Sequence, residues 1–236
     1  MSPRRKLSDA RRRQILEAAV HVIAERGLCD TRIQDVARRA EASPALVIYY
    51  FKEKDQLLRE ALTYAEERFY SDTAGALADL STARDRLVRL VQLSCSFGEG
   101  EAGFAEEWVL WLDMWARAPR KADVARDREV LDRRWRETVA GIVVNGQRDG
   151  EFAEVDADDF SLRLAALLDG LAIQVVLGDP DVPAERMFDL CMDVCARELG
   201  FSWGPQDRAR LLRPPPPARA ARPSDTGEAA TGVGAS

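Results

Sequence analysis

The chain is poor in the residues from which most catalytic and metal sites are built. Its 236 residues include one histidine, His21, and four cysteines without Cys-x-x-Cys spacing. One histidine can complete neither a zinc site with several histidines nor the two Glu-x-x-His pairs of a di-iron helical bundle. His21 also projects away from the apolar stripe of its predicted helix, and the chain has no other histidine that could act as the base of a catalytic triad. We therefore predict no enzyme activity, no metal and no cofactor. Cys191 and Cys195, one helical turn apart on an apolar face, are more typical of core packing than of redox chemistry.

The chain also lacks a long hydrophobic run. The longest apolar stretch, residues 164–177, is interrupted by Asp169, Gly170 and Gln174 and is too short to span a bilayer. The basic start is not followed by the apolar segment of a secretory signal. We expect a soluble, cytoplasmic protein that makes no use of a membrane.

Positive charge is scarce in the chain as a whole but not at its start. The net charge is −6, yet residues 1–60 carry thirteen Lys and Arg against nine Asp and Glu, which leaves a charge of −10 for the rest. Six of these bases lie within residues 4–13. Basic groups that neutralise phosphates supply sequence-independent affinity for DNA, so this local excess favours a nucleic-acid partner. For residues 4–6, a DNA-contacting arm and a solubilising tail both remain open.

Residues 31–58, TRIQDVARRAEASPALVIYYFKEKDQLL, predict two short helices joined by a tight turn and followed by a longer helix. Thr31 and Gln34 have the spacing of a capping box at the start of the first helix. Ser43 can cap the second helix, and Pro44 suits its first position. This arrangement is a helix-turn-helix, whose second helix can enter the major groove of DNA. The alternative is a helical hairpin inside some other bundle.

The order of residues from Arg11 to Leu58, "ILEAA…ERG…T…DVA…A…S…YYF…K…LL", resembles the TetR family of bacterial transcription regulators. The chain departs from the family pattern at Glu41, where the family usually has glycine, and at Ile48, where tyrosine is common. The resemblance implies an all-α fold. A three-helix DNA-binding head would precede a larger helical domain that binds an effector and forms a dimer.

The resemblance also implies which residues contact DNA. Gln34, Ala45 and Leu46 match positions that approach bases, where glutamine can pair with adenine and small apolar groups can touch thymine methyls. Phosphate contacts are predicted for Arg32, Ser43, Tyr49, Tyr50 and Lys54, and Pro44 and Lys52 complete the predicted surface. Of Tyr49 and Tyr50, we expect one to pack against the first helix and the other to bind DNA.

The second half contains an unusual stripe of tryptophans. In a predicted helix at about 102–117, Trp108, Trp111 and Trp115 lie on one face, flanked by Glu107, whereas Asp113 points away. Such a stripe is more often plain core than a ligand site. However, each indole N–H needs a partner, and aromatic walls beside a carboxylate suit an organic cation. These four residues are therefore candidate effector-binding residues.

The predicted helix at about 157–177 is apolar nearly all round, so it needs two partners to cover it. Its own core can cover one face and a second copy of the chain the other. The last two predicted helices resemble the pair through which TetR proteins dimerise as a four-helix bundle. The predicted dimerisation residues are Leu162, Ala165, Ala166, Ile173, Val176, Leu190 and Val194. Asp169 interrupts this second face, so it should have a partner or contact the effector.

These patterns predict four segments: a flexible basic arm (1–7), a DNA-binding domain (8–53), an effector-binding and dimerisation domain (54–203) and a disordered tail (204–236). The second half also resembles the TetR subgroup named for the choline-responsive betaine repressor, which suggests an effector class. We expect a homodimeric repressor that binds a palindromic double-stranded operator and is released by a small-molecule effector, with an organic cation as candidate. An effector-independent regulator and an activator of the same fold are the alternatives.

Overall fold

The structure is a computed structural model that describes the backbone of residues 3–95 and 101–211, and every side chain in these ranges except those of residues 3–7, 72, 101–107 and 209–211. Both ranges are helical and contain no strand, which confirms the all-α prediction. No helix in the described ranges is long and apolar enough to cross a membrane. The helices are α1 (Pro3–Asp30), α2 (Ile33–Arg39), α3 (Pro44–Phe51), α4 (Lys54–Ala78), α5 (Ala83–Cys95), α6 (Glu101–Arg117), α7 (Ala122–Arg148), α8 (Ala157–Val176), α9 (Ala184–Leu199) and α10 (Pro205–Leu211), with a 3-10 turn at Ala118–Arg120.

Helices α1 to α3 and the start of α4 form the head of the molecule around a core of their own. Ile15, Ile23, Val36 and Val47 are fully buried in this core, and Phe51 is nearly so. These residues recur at helical spacing, so α1, α2 and α3 each contribute one apolar face. The start of α4 closes the core with Leu57, Leu58 and Ala61.

Helix α1 is interrupted at Gly27, whose φ of 75° is open to glycine but strained for other residues. The hydroxyl of Thr31 donates a hydrogen bond to the Gly27 carbonyl at 2.7 Å and is buried beneath this break. Thr31 is therefore not the cap of α2, as its spacing from Gln34 had predicted. The cap position belongs to Arg32, which makes no capping hydrogen bond with its side chain.

Helix α3 begins as its sequence predicts. The Ser43 side chain accepts a hydrogen bond from the Leu46 amide at 3.1 Å, and Pro44 occupies the first turn. Glu41, in the turn before it, has a φ of 49°, a conformation that glycine adopts more readily than other residues. Lys52 ends the helix with a φ of 57°. The turn and both ends of α3 are thus fixed by local backbone geometry.

The body of the molecule consists of α5 to α10 and the distal part of α4. Its core contains Phe160, Leu164 and Met187 together with Cys191 and Cys195. The burial of both cysteines confirms the predicted packing role. Helix α6 contributes to both cores, because Leu110 is buried with the head residues and Trp108 with those of the body.

Helical structure extends further than predicted at both ends of the described part of the chain. Helix α1 begins at Pro3 rather than near Ser8, because proline is tolerated in a first turn and the residues that follow favour helix. The side chains of residues 4–6 lie outside the described residues, as does the chain after residue 211. The predicted disorder does not begin at residue 204, since α10 occupies 205–211. An ion pair of 2.7 Å between Arg84 and Asp207 holds α10 against α5.

Candidate DNA-binding surface and ligand cavity

The predicted DNA-contacting residues lie together on the outer side of the head. Helix α3 buries Val47 and Phe51 and leaves Tyr49 79% exposed and Ile48 50% exposed. The N-terminal end of α2 lies beside it, with Arg32 and Gln34 exposed. We call this the recognition surface. Its exposed members are Arg32, Gln34, Ser43, Pro44, Ala45, Ile48, Tyr49 and Lys52, with Leu46 half-buried.

The two tyrosines of α3 differ in their surroundings. The Tyr50 ring is half-buried against the head core, and its hydroxyl oxygen accepts a hydrogen bond from Ser8 at 3.4 Å. The Tyr49 ring touches Tyr50 edge-on at 5.5 Å and projects outward. Tyr50 is thus the one that packs, and Tyr49 has a hydroxyl available to a partner.

Lys54 joins the recognition surface to the rest of the head. Its ammonium group donates a hydrogen bond to the Cys29 carbonyl at 3.1 Å, which ties the start of α4 to the end of α1. An ammonium has three donors, so this bond leaves two for another acceptor. A phosphate contact by Lys54 remains a prediction.

A cavity of about 300 Å³ lies in the body, enclosed by residues of five helices. Helix α4 contributes one wall, α6 the aromatic wall, and α7 and α8 most of the charged groups. Its lining residues are Leu62, Ala65, Glu66, Phe69, Ser94, Trp108, Leu110, Trp111, Met114, Trp115, Arg128, Leu131, Asp132, Trp135, Arg136, Leu162, Ala165, Ala166, Leu168 and Asp169. This volume suits a small organic ligand.

The tryptophan stripe of α6 forms the aromatic wall. The ring centre of Trp115 lies 6.2 Å from that of Trp108 and 6.1 Å from that of Trp111. Trp135 of α7 lines the same cavity and was not among the predicted effector-binding residues. Glu107 was also predicted here, but its side chain lies outside the described residues.

The charged residues of the cavity come mainly from α7 and α8. Arg128 and Asp132 form an ion pair of 2.8 Å, and Arg136 lies beside them. Asp169 of α8 faces these residues without a hydrogen bond or ion pair among the described residues. Burial raises the pKa of Asp169 to about 7; repulsion from Asp132 adds to this rise and attraction to Arg128 opposes it. Burial also raises the pKa of Asp132, against the attraction of Arg128 and Arg136.

Sequence reasoning missed two of the cavity's carboxylates, although one had left a signal. Glu66 is only 7% exposed and falls within the apolar stripe of α4, four residues after Leu62 and three before Phe69. A carboxylate at such a position indicates a buried polar site. Asp132 lies on the mainly charged face of α7, where nothing separates it from solvated neighbours. Two arginines of α7 differ in their surroundings: Arg128 lines the cavity, and Arg134 stacks on Tyr70 with 3.8 Å to the ring centre.

The predicted dimerisation residues do not form a single surface separate from this cavity. Leu162, Ala165 and Ala166 line the cavity within one chain, and Val176 packs against the body core. The buried face of α8 carries Leu164, Leu168 and Ala172, none of which is among the seven predicted residues. Ile173, Leu190 and Val194 are half-buried. A role of all seven in pairing two chains remains a prediction.

Helix α6 joins the cavity to the head. The carboxylate of Asp113 accepts a hydrogen bond from the Leu28 amide at 2.7 Å, immediately after the break at Gly27. Leu110 is buried in the head core and also lines the cavity, as does Trp111 one residue further on. The aromatic wall and the residues that support α1 thus belong to the same helix.

Family models match two parts of the chain. Residues 15–61 match the model for bacterial regulatory proteins of the tetR family, and residues 83–200 match that for the BetI-type transcriptional repressor, C-terminal. The HTH-type transcriptional regulator BetI of Rhizobium meliloti is 28% identical over 193 residues, which cover 81% of this chain and 90% of that protein. BetI of Brucella canis is 25% identical over 198 residues and covers 84% and 96%.

Solved structures agree with these matches. A transcriptional regulator from Saccharomonospora viridis, in complex with choline, is 34% identical to this chain with a TM-score of 0.74, and the match covers 81% of this chain and 98% of that one. A TetR-family transcriptional regulator from Rhodococcus sp. is 26% identical with a TM-score of 0.69, covering 80% and 98%.

Proposed function

The chain belongs to the TetR family of transcription regulators, with a BetI-type C-terminal half. We propose that it is a homodimeric repressor and that a small organic cation releases it from its operator. The family is one of DNA-binding regulators rather than enzymes.

The recognition surface supports binding to a palindromic operator. Helix α3 is capped by Ser43, supported from beneath by Val47 and Phe51, and exposed along its outer face. One such helix fills one major groove, so two copies related by a two-fold axis would read two half-sites. We assign base contacts to Gln34, Ala45 and Leu46, and phosphate contacts to Arg32, Ser43, Tyr49 and Lys54. Pro44 and Lys52 would complete this surface, and the half-buried Tyr50 would support it.

The observation that carries the effector proposal is the tryptophan-walled cavity and its carboxylates. Indole faces attract cations through their negative π surface, most strongly where water is excluded. Asp169 adds a carboxyl group to the same space, beside the Arg128–Asp132 ion pair. The S. viridis relative binds choline, a quaternary ammonium compound, which belongs to this chemical class. A solidly packed body would have favoured an effector-independent regulator, and the cavity counts against that alternative.

The ligand would act on the head through the two helices that reach both parts. Helix α4 lines the cavity with Leu62 and Ala65 and contacts the end of α1 through Lys54. Helix α6 lines it with Trp111 and holds Leu28 through Asp113. A ligand shifts the equilibrium only by its difference in affinity between the DNA-binding and released states, typically about 1–3 kcal/mol.

The proposal is tested by selecting operator duplexes from a random pool and titrating choline into the protein–DNA complex while following fluorescence anisotropy. We expect choline to weaken operator binding about 5- to 150-fold. The matched control is Trp111→Ala, which should bind the same DNA with little response to choline. Selected sites without two-fold symmetry, or DNA affinity that is unchanged by bound choline, would contradict the proposal.

A further inference from the structure

Building on the proposed function, we infer that Asp169 is the counter-ion that makes the cavity select a monocation, and that the positive charge of the ligand takes the place of a proton on this carboxyl group. Binding would then be linked to proton release, and ligand affinity would depend on pH. No covalent bond is made or broken in this exchange.

The charges around Asp169 leave it without a positive partner of its own. Helix α7 presents Arg128, Asp132 and Arg136 to the cavity, and α4 presents Glu66. Arg128 is already paired with Asp132 at 2.8 Å, and Arg136 acts on the same carboxylate. Helix α6 presents indole rings and apolar side chains among its described residues. The guanidinium groups are thus directed to Asp132 rather than to Asp169.

The Arg128–Asp132 ion pair leaves Asp169 as the charge that a ligand must balance. Arg128 and Asp132 neutralise each other, so ionisation of Asp169 adds one negative charge to this side of the cavity. A half-buried carboxylate without a partner is costly, and the group avoids this cost by keeping a proton. A monocation in the cavity stabilises the ionised carboxylate, so the proton is released. An anion or a dication would leave a net charge in the cavity.

The surroundings of Asp169 place this exchange near neutral pH. Burial, with the neighbouring Asp132 carboxylate, raises the pKa of Asp169 to about 7. A bound cation favours the ionised form and lowers that pKa, so the protein releases protons on binding near pH 7. By the same linkage, cation affinity rises as the pH increases through this region.

The test compares choline with 3,3-dimethylbutan-1-ol, a neutral isostere in which carbon replaces the ammonium nitrogen. Isothermal titration calorimetry at pH 6, 7 and 8, in two buffers that differ in ionisation enthalpy, measures affinity and proton release together. For the unaltered protein we expect choline to bind about 10-fold more tightly at pH 8 than at pH 6, as a single carboxyl titrating near pH 7 requires. The isostere should show no such rise.

Asp169→Asn is the decisive variant, because asparagine keeps the shape and removes the titration. It should bind choline with no pH dependence and without proton release, and it should lose most of the preference for choline over the isostere. Asp127→Asn is the matched control, because Asp127 is an exposed carboxyl on α7 that does not line the cavity. It should keep the pH dependence and the proton release of the unaltered protein.

The outcomes separate this inference from the proposed function. Choline binding without proton release, or an Asp169→Asn variant that keeps both pH dependence and preference, would overturn the inference and leave ligand-driven operator release intact. Proton-linked binding that leaves the operator complex unchanged would support the inference and contradict the proposed function. Failure of the unaltered protein to bind choline at any of these pH values would overturn the inference.

Discussion

The carboxyl group of Asp169 holds its proton in the folded protein at pH values where the unfolded chain has lost it. Its pKa rises from an ordinary value of 3.8 to about 7 on folding. The folded state therefore binds more protons between these values, and its stability decreases as the pH rises through this window. Asp169→Asn removes the decrease. We expect the free energy of unfolding of the variant, relative to the unaltered protein, to rise by about 2 kcal/mol between pH 5 and pH 8.

Urea denaturation of the ligand-free proteins at the two pH values measures this difference. Asp127→Asn, an exposed carboxyl on the neighbouring α7, provides the baseline for loss of a surface charge. An Asp169→Asn variant whose relative stability is the same at both pH values would show that the carboxyl is already ionised at pH 5.

The two tyrosines of α3 should differ in their effect on DNA binding. Tyr49 is 79% exposed, whereas Tyr50 is half-buried and bonded to Ser8. Tyr49→Phe should weaken operator binding about 5-fold, the value of one lost hydrogen bond of about 1 kcal/mol. Tyr50→Phe should change it by less. Anisotropy titrations of both variants on one duplex decide the order, and a larger loss for Tyr50→Phe would contradict the assignment.

Single residues were predictable where their role is local. Ser43 caps α3 as predicted, because the neighbouring sequence alone determines this role. Thr31 was predicted wrongly, since the break at Gly27 brings a backbone carbonyl within reach of its hydroxyl. The presence of Asp132 in the cavity depends on the rotation of α7 against α6 and α8, which no local pattern contains.

At the scale of elements, α6 is the part that links the two cores. Its Asp113 accepts a hydrogen bond from the Leu28 amide, whereas Trp111 and Trp115 face the cavity. Asp113→Asn replaces a charged acceptor by a neutral one and weakens this contact by about 1 kcal/mol. We expect nearly unchanged choline binding but a smaller effect of choline on operator affinity. The ratio of operator dissociation constants with and without choline measures this effect. The same ratio in the variant and the unaltered protein would contradict the role of this contact.

The end of α7 packs closely against the segment that follows it. A Cβ added at Gly146 would lie 2.2 Å from the Phe152 ring, whereas one added at Gly141 of the same helix meets nothing within 4 Å. Gly146→Ala should therefore destabilise the protein by about 2 kcal/mol or more, because the ring must move. Gly141→Ala should stabilise it by roughly 0.5–1 kcal/mol. Thermal unfolding followed by circular dichroism tests both, and equal effects would contradict this packing.

Most helices were predictable from their apolar periodicity and caps, but their lengths were less so. Helix α4 continues to Ala78, two turns beyond Tyr70. Residues after Tyr70 carry no strong stop signal, and tertiary contacts of Thr73 and Leu77 decide that the helix continues. Cover of the second face of α8 by a second chain remains a prediction, and Leu162, Ala165 and Ala166 of this face line the cavity of the same chain.

For the whole molecule, the main remaining prediction is the pairing of two chains through α8 and α9. Val194 is half-buried on α9 among the predicted interface residues. Val194→Glu would place a charge in that interface and should produce monomers. Sedimentation equilibrium should give twice the chain mass of 26.3 kDa for the unaltered protein and the single mass for the variant.

Val130→Glu on α7 is the control for this experiment, because Val130 is 61% exposed and lies outside the predicted interface. It should remain a dimer. A single mass for the unaltered protein would contradict pairing itself. A dimeric Val194→Glu variant would instead place the interface on another face.

The distribution of tryptophans gives the molecule a reporter of its own state. Of the five in the chain, Trp108, Trp111, Trp115 and Trp135 line the cavity, and Trp203 packs on Phe188 at 6.0 Å between ring centres. Most of the intrinsic ultraviolet emission therefore originates beside the cavity. Occupancy of the cavity can be followed by the quenching or spectral shift of that emission, on unlabelled protein and in the presence of DNA.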